Sequence, residues 1–343
     1  MNKFVIRNFG SGLGDCFFIE MVNEKEKCVI MVDGHKERQS EESFRYIKEN
    51  INSYDKIDYL IVTHIDDDHI GGILKLLELP ENDEVALKIR NSVIIYNNIT
   101  SPIINYEQAR RLENILLGRK VINTCKKDYS IYNGDFLKIL SYDKRVKFDP
   151  DEFENYKENP VMTFIHPNNV GDVEKVIDDY NRKLHSDGTL DKPNSKLVNQ
   201  YSIVFLIEFM GKRALFTGDA SIVDISEKVM KLKNIIGSAD GVTNKKQNNE
   251  ISKRIDIIKI PHHGADENNN GLIELVKKCI CNSFFITGEK EWNERHPAKS
   301  LLNELYKELS NKLRIYTKVN MTKYQYHNEV IRSDDEINIL EIE

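Results

Sequence analysis

Short apolar runs of β-forming residues recur along this chain, and what separates them constrains the fold more than any other feature. Phe17–Val22 and residues 28–32 are such runs, joined by the polar Asn23-Glu24-Lys25-Glu26-Lys27, which reads as a hairpin connection. A helix-length amphipathic stretch over residues 41–51 then precedes Tyr59-Leu60-Ile61-Val62, a strand with the composition of a buried one. Helical spacing resumes over residues 70–79 and stops at Pro80. Further strands are expected at 203–207, 214–217, 255–260 and Ser283–Ile286, then an amphipathic helix at 301–313 and a strand from Arg314. Strands joined by hairpins in some places and by helices in others imply sheets packed on each other, with helices outside: an α+β fold.

The 343 residues, 40% hydrophobic and 30% charged, suit a folded chain with a sizeable core. One domain spanning 1–343 is expected, with polar, loop-rich insertions at 168–196 and 222–254 and no internal repeat. The five cysteines (Cys16, Cys28, Cys125, Cys279, Cys281) are scattered among apolar neighbours and are expected to be reduced core residues. The opening residues hold no secretory signal, and no apolar run has membrane-spanning length, which sets the expectation of a cytoplasmic protein without a membrane segment. A formal net charge of −6 argues against tight non-specific binding of nucleic acid, though not against nucleic acid as a substrate.

Three of the strands run directly into residues of metal-ligand type. Thr63-His64-Ile65-Asp66-Asp67-Asp68-His69-Ile70-Gly71-Gly72 offers two imidazoles and three carboxylates between a buried strand and a helix start. A turn there aims residues 64 and 66 at one point and 68 and 69 at a second; imidazole and carboxylate suit zinc, while the extra carboxylate also suits manganese or iron. Gly71 and Gly72 are expected to let the helix begin close to the metals. Leu215-Phe216-Thr217-Gly218-Asp219 ends a strand in one carboxylate, the group that can bridge two metal ions. Ile257-Ile258-Lys259-Ile260-Pro261-His262-His263-Gly264 delivers two histidines in the same way. A capping Asp, a Gly-Asp turn or a surface His pair would each explain one cluster, but three at strand ends imply convergence on one sheet edge.

The combination His64-x-Asp66-x-Asp68-His69, Gly218-Asp219 and Pro261-His262-His263-Gly264 resembles the metallo-β-lactamase superfamily, and within it the hydrolase domain of ComEC-type competence proteins. Gly12-Leu13-Gly14-Asp15, Val32-Asp33-Gly34, His166-Pro167, Asn199-Gln200-Tyr201-Ser202 and Arg295-His296-Pro297 extend the likeness over nearly the whole chain outside the two insertions. The resemblance implies an αββα four-layer sandwich, two mixed β-sheets flanked by helices. It implies two divalent ions, zinc foremost and manganese as the alternative, held by His64, Asp66, Asp68, His69, Asp219 and His263. Asp33 is expected to orient the ligand loop and Asp67 to face solvent. Two departures stand out: Asp66 replaces the commoner second His of the signature, and the usual mid-chain ligand His is not evident. Asn199 sits near that place, with His166 its rival.

The implied activity is phosphodiester hydrolysis, nucleic acid included, by hydroxide generated at a metal pair. Asp68, His262 and His296 are the catalytic candidates, the histidines as proton donors to the leaving oxygen. The alternatives are a small-molecule ester, lactone, thioester or phosphoester substrate, or a metal-binding component acting with a partner protein through 222–254. His35, His185 and His327 are expected at the surface, Trp292 in the core or at its rim. The basic stretch Arg110-Arg111, Arg119-Lys120 and Lys126-Lys127 is expected to be a solvated helix face.

Overall fold

A computed structural model describes residues 2–9, 14–38, 41–97, 106–119, 121–124, 131–133, 136–147, 159–167, 178, 182, 198–236, 254–334 and 336–341. The first half contains β1 (Lys3–Asn8), β2 (Phe17–Val22), β3 (Lys27–Val32), α1 (Glu41–Asn52), β4 (Tyr59–Val62), α2 (Asp67–Leu77), α3 (Glu84–Arg90), β5 (Val93–Tyr96), α4 (Tyr106–Leu116) and β6 (Val121–Ile122). There follow β7 (Ile131–Asn133), β8 (Lys138–Ser141), α5 (Tyr142–Val146), β9 (Val161–His166), β10 (Val204–Phe209), β11 (Lys212–Phe216) and α6 (Ile222–Ile236). The last part has β12 (Ile257–Lys259), α7 (Asp266–Asn269), α8 (Leu272–Cys279), β13 (Ser283–Ile286), α9 (Lys299–Leu309), β14 (Arg314–Thr317), α10 (His327–Val330), β15 (Ile331–Arg332) and β16 (Glu336–Asn338).

The strands form two sheets, ordered β16-β1-β2-β3-β4-β5-β6 and β15-β14-β13-β12-β11-β10-β9-β8-β7. Alternation along each strand builds three apolar layers. Phe17, Ile19, Ile30 and Ile61 of the first sheet meet Phe205, Phe216 and Phe285 of the second in the inter-sheet core. Phe18, Met31, Leu60 and Val62 point the other way, against Phe44 and Ile47 of α1 and Ile70, Ile73 and Leu74 of α2. Leu206, Leu215, Ile258 and Phe284 lie under α6, α8 and α9. Fully apolar strands such as β4 are therefore explained by burial on both faces. The result is the expected αββα sandwich of two mixed sheets.

Residues 222–236, the start of the second expected insertion, form α6, and Ile222, Ile225, Val229 and Leu232 are buried in the outer core of the second sheet. Of the first insertion only residues 178 and 182 are described, and 237–253 lie outside the described residues. Cys16, Cys28, Cys279 and Cys281 are buried free thiols, and Cys125 lies outside the described residues. Among the described residues no helix is long and apolar enough to cross a membrane.

Two surface expectations are corrected. His35 is buried: its carbonyl accepts from Gly72 N at 2.7 Å and its own N–H reaches Asp15 O at 2.9 Å, because the loop after β3 lies against α2. Asp67 is half-buried rather than open to solvent, and its Oδ1 accepts from Gln108 Nε2 at 2.6 Å and so ties α4 to the start of α2. Gly71 serves the same packing rather than closeness to the metals, for a Cβ there would meet Glu37 N at 2.1 Å. His327 is half-buried and His185 lies outside the described residues. Trp292 is in the core, its Nε1 donating to Pro297 O at 2.7 Å.

Candidate metal centre

Parallel pairing sets where the ligands meet. β3 and β4 run parallel in the first sheet, β11, β12 and β13 in the second, so their C-terminal ends lie at one edge of the sandwich. There β3 delivers Asp33, β4 delivers Thr63 and His64, β11 delivers Asp219, β12 delivers His262 and His263, and β13 delivers Thr287. α2 starts at Asp67, three residues before the onset of helical spacing, which places Asp68 and His69 in its first turn with Asp66 as N-cap. Carboxylates are favoured at that end of a helix.

Ligand-type atoms of His64, His69 and Asp219 lie within 4.8 Å of one another, as do those of Asp15, His69 and His263. Asp219 faces both halves: Oδ1 is 3.5 Å from His69 Nε2 and Oδ2 is 3.8 Å from His64 Nε2. Asp68 Oδ2 stands 3.0 Å from His263 Nε2, and its Oδ1 3.9 Å from His69 Nε2.

Each of these three imidazoles is fixed in one tautomer by a carboxylate. His69 Nδ1 donates to Asp33 Oδ2 at 2.8 Å. Thr63 Oγ1 gives its only proton to the same carboxylate at 2.6 Å, so toward His64 Nδ1, 3.1 Å away, it can only accept. Thr287 Oγ1 donates to Asp15 and in turn accepts from His263 Nδ1 at 2.9 Å. All three Nε2 atoms are thereby presented to the centre. Those of His64 and His69 are buried and have no hydrogen-bond partner among the described residues. Buried polar atoms are rarely left so, and a cation bound between them and Asp219 would satisfy both. The residues present fit a divalent metal pair with mixed nitrogen and oxygen donors.

The electrostatics agree. Burial, then the neighbouring His69, pushes His64 down to about 3, so it is a neutral imidazole at any physiological pH. Burial opposes charge on His69 too, but the Asp219, Asp33 and Asp15 carboxylates outweigh it and raise that imidazole well above its ordinary value. Burial and the nearby Asp68 raise Asp66 to about 6. A divalent cation would relieve this crowding of carboxylates.

Three site residues were missed in the sequence. Lys259 is 1% exposed, and its Nζ lies 2.6 Å from Asp15 Oδ2, 2.8 Å from Gly218 O and 3.4 Å from Asp219 Oδ1. A single charge inside the run Ile257-Ile258-Lys259-Ile260 was the available signal. Asp15 joins this ammonium to Thr287, and nothing local in the sequence announces either connection. Gly14 makes the approach possible: at φ +104 a Cβ would lie 1.9 Å from Asp68 O.

The remaining expected residues are placed as follows. His166 donates Nε2–H to Gln200 O at 2.6 Å, and Asn199 Nδ2 lies 3.4 Å from His262 Nδ1. His166, like Asp66, Asp68 and His262, does not join the two clusters of ligand atoms described above. The rings of His262 and His296 lie 5.6 Å apart, tilted by 43°, and line, with Asn199, Asp266, Glu267, Glu294 and Arg295, a cavity of about 430 Å³ beside the centre. Arg111 is held by Glu37 at 2.9 Å and Glu78 at 2.5 Å, and Arg119 by backbone carbonyls. The side chains of Arg110, Lys120, Lys126 and Lys127 lie outside the described residues.

Residues 11–88 match the family described as the metallo-β-lactamase superfamily. No curated protein matches the chain. Similar solved structures include CmlA, a diiron β-hydroxylase from Streptomyces venezuelae, at 13% identity and TM-score 0.44, covering 98% of this chain and 54% of that one. A long-form RNase Z from yeast has 12% identity and TM-score 0.39, with 99% and 42% covered. Zn(2+)-bound PqqB from Methylobacterium extorquens has 10% identity and TM-score 0.39, with 97% and 99% covered. The chain spans about half the length of the CmlA structures. Such distant likeness leaves activity open. Residues 11–88 thus carry the match to the metallo-β-lactamase superfamily, and the two-sheet αββα sandwich with its ligand-type residues at one strand edge is consistent with that fold.

Proposed function

We propose that this protein is a metal-dependent hydrolase acting on phosphodiesters, with nucleic acid as the leading substrate. The observation that carries the metal reading is the pair of buried, partnerless Nε2 atoms of His64 and His69 on either side of Asp219. His64 and Asp66 would hold one ion and Asp68, His69 and His263 the other, with one Asp219 oxygen toward each. Zinc fits these donors, and manganese is the alternative that the carboxylates favour. When bound, the pair supplies Lewis acidity toward a phosphoryl oxygen and makes water a usable nucleophile near neutral pH. The chain's own part is to keep the imidazoles in the ligating tautomer through Asp33, Thr63 and Thr287. His262 and His296 stand on the wall where a leaving oxygen would take its proton. The choice of phosphodiesters rests on the ComEC-type pattern His64-x-Asp66-x-Asp68-His69 with Pro261-His262-His263-Gly264.

A second reading has its own observation. The cavity beside His262 is lined by Asp266, Glu267 and Glu294 against Arg295, an acidic balance that disfavours a polyanion and favours a small ester, lactone, thioester or phosphoester. The test is to purify the protein without chelator, measure bound metal, and assay labelled single- and double-stranded DNA and RNA with zinc and with manganese. A panel of small esters, lactones, thioesters and phosphoesters runs in parallel, with Asp68→Ala as control. Nucleic-acid cleavage lost in Asp68→Ala is the expected result. Metal bound, nucleic acid untouched and a small ester cleaved would replace the first reading by the second.

A further inference from the structure

Consecutive residues of an extended chain point to opposite sides, so adjacent histidines serve one centre only if the backbone is bent for it. Here both are in the left-handed region, His262 at φ 45 and ψ 53, His263 at φ 53 and ψ 16. L side chains avoid this conformation, and two in succession need support from their surroundings. The support is present: His262 N donates to Gly218 O at 3.3 Å, Ala265 N to His262 O at 2.9 Å, and Asn269 Nδ2 to Pro261 O at 3.0 Å. The His262 ring is held as well. Asn268 donates from Nδ2 to Asp219 O at 2.8 Å, which turns its Oδ1 to the His262 ring, where it accepts from Nδ1–H at 2.8 Å. The Asn199 contact to the same nitrogen is longer, at 3.4 Å. With Nδ1–H given to Asn268, the lone pair of the His262 ring is on Nε2. It lies 3.9 Å from Asp219 Oδ2, the oxygen that also stands 3.8 Å from His64 Nε2.

We propose that His262 is a metal ligand, completing with His64, Asp66 and Asp219 the half of the centre for which the middle of the chain supplies no imidazole. His263 serves the other half with Asp68 and His69. The leaving-group proton then falls to His296 or to water. The proposal rests on the metal-hydrolase reading, and its test separates the two. Wild type, His262→Ala, His262→Asp and His296→Ala are prepared without chelator, equilibrated with limiting zinc and analysed for bound metal, with circular dichroism as a check of folding. The expected stoichiometries are about two zinc ions for wild type and His296→Ala and about one for His262→Ala. His262→Asp, which restores a ligand but not an imidazole, is expected to recover the second ion. In wild-type protein loaded with cadmium-113 and labelled with nitrogen-15 histidine, coupling to the metal is expected at His64, His69, His262 and His263, a readout that needs no variant. Two zinc ions in His262→Ala, or no cadmium coupling at His262, would overturn the ligand assignment and leave the hydrolase reading intact. No metal in wild type would remove both.

Discussion

Replacing Lys259 by methionine tests whether the centre carries a permanent cation of its own. The ammonium is 1% exposed and bonded to Asp15 at 2.6 Å, with Asp219 at 3.4 Å. Burial lowers the lysine pKa, but Asp15 and Asp219 outweigh it and hold Lys259 above the ordinary lysine value, so it is charged. Methionine fills a similar volume without the charge and leaves both carboxylates buried without it. Breaking such a buried pair costs about 3–5 kcal/mol. In a chain of this size that lowers the Tm by roughly 4–7 °C. This loss is expected in chelator, where His69 is the other cation that faces Asp219. With metal bound, Asp219 is neutralised from the other side and only Asp15 remains exposed to the loss, so the drop shrinks to about half. The assay is thermal unfolding of wild type and Lys259→Met, each in chelator and in saturating zinc. Lys259→Met/Asp15→Asn, which also removes the charge left behind, should recover part of the loss. Equal drops with and without zinc, and no recovery in the double variant, would refute the charge argument and reduce Lys259 to a packing residue.

Three further outcomes follow from the same geometry. Asp33→Asn turns an amide donor toward His69 Nδ1, favours the wrong tautomer and should weaken zinc binding by about 10–100-fold, read by competition with a chelating dye; unchanged affinity would sink the orienting role. Gly14→Ala puts a Cβ within 1.9 Å of Asp68 O at φ +104 and should cost at least about 2 kcal/mol in denaturant unfolding, a wild-type midpoint being the contrary result. In chelator, stability should fall as pH rises above about 6.5. Below that, Asp66, raised to about 6, loses its contribution while His64, held down to about 3, gains one, so the two oppose each other; from about 6.5 upward His69 and His263, both raised, lose theirs through their native values. Zinc must displace those protons, so its apparent affinity should rise with pH over that range, and a flat profile would contradict the assigned shifts.

What was legible in the sequence was what one segment decides alone. Phe17–Val22, Tyr59–Val62 and Ser283–Ile286 are observed with the bounds expected of them, because strands buried between a partner sheet and a helix layer are apolar throughout. His64, Asp219, His262 and His263 were legible because each follows such a run, and His69 because it closes the cluster that begins at His64. β16 was not legible: it exists by pairing with β1, Ile6 opposite Ile337, and its few residues carry no period. α2 was expected to start late because the polar Asp68 and His69 occupy its first turn, where apolar spacing has not begun. His35 was misread because polar neighbours in sequence stood in for the buried α2 backbone that covers it. The part of the centre that escaped is the part that holds the ligands rather than being them. Thr287 and Asp15 are 272 residues apart, and together with Lys259 they connect His263 to Asp219. A ligand announces itself by residue type, whereas the hydroxyl or ammonium that orients it is chemically ordinary and acquires its role from the convergence of strands. The tautomer of His263, and with it the capacity of that ring to bind a metal, thus depends on a contact that no local pattern could have specified.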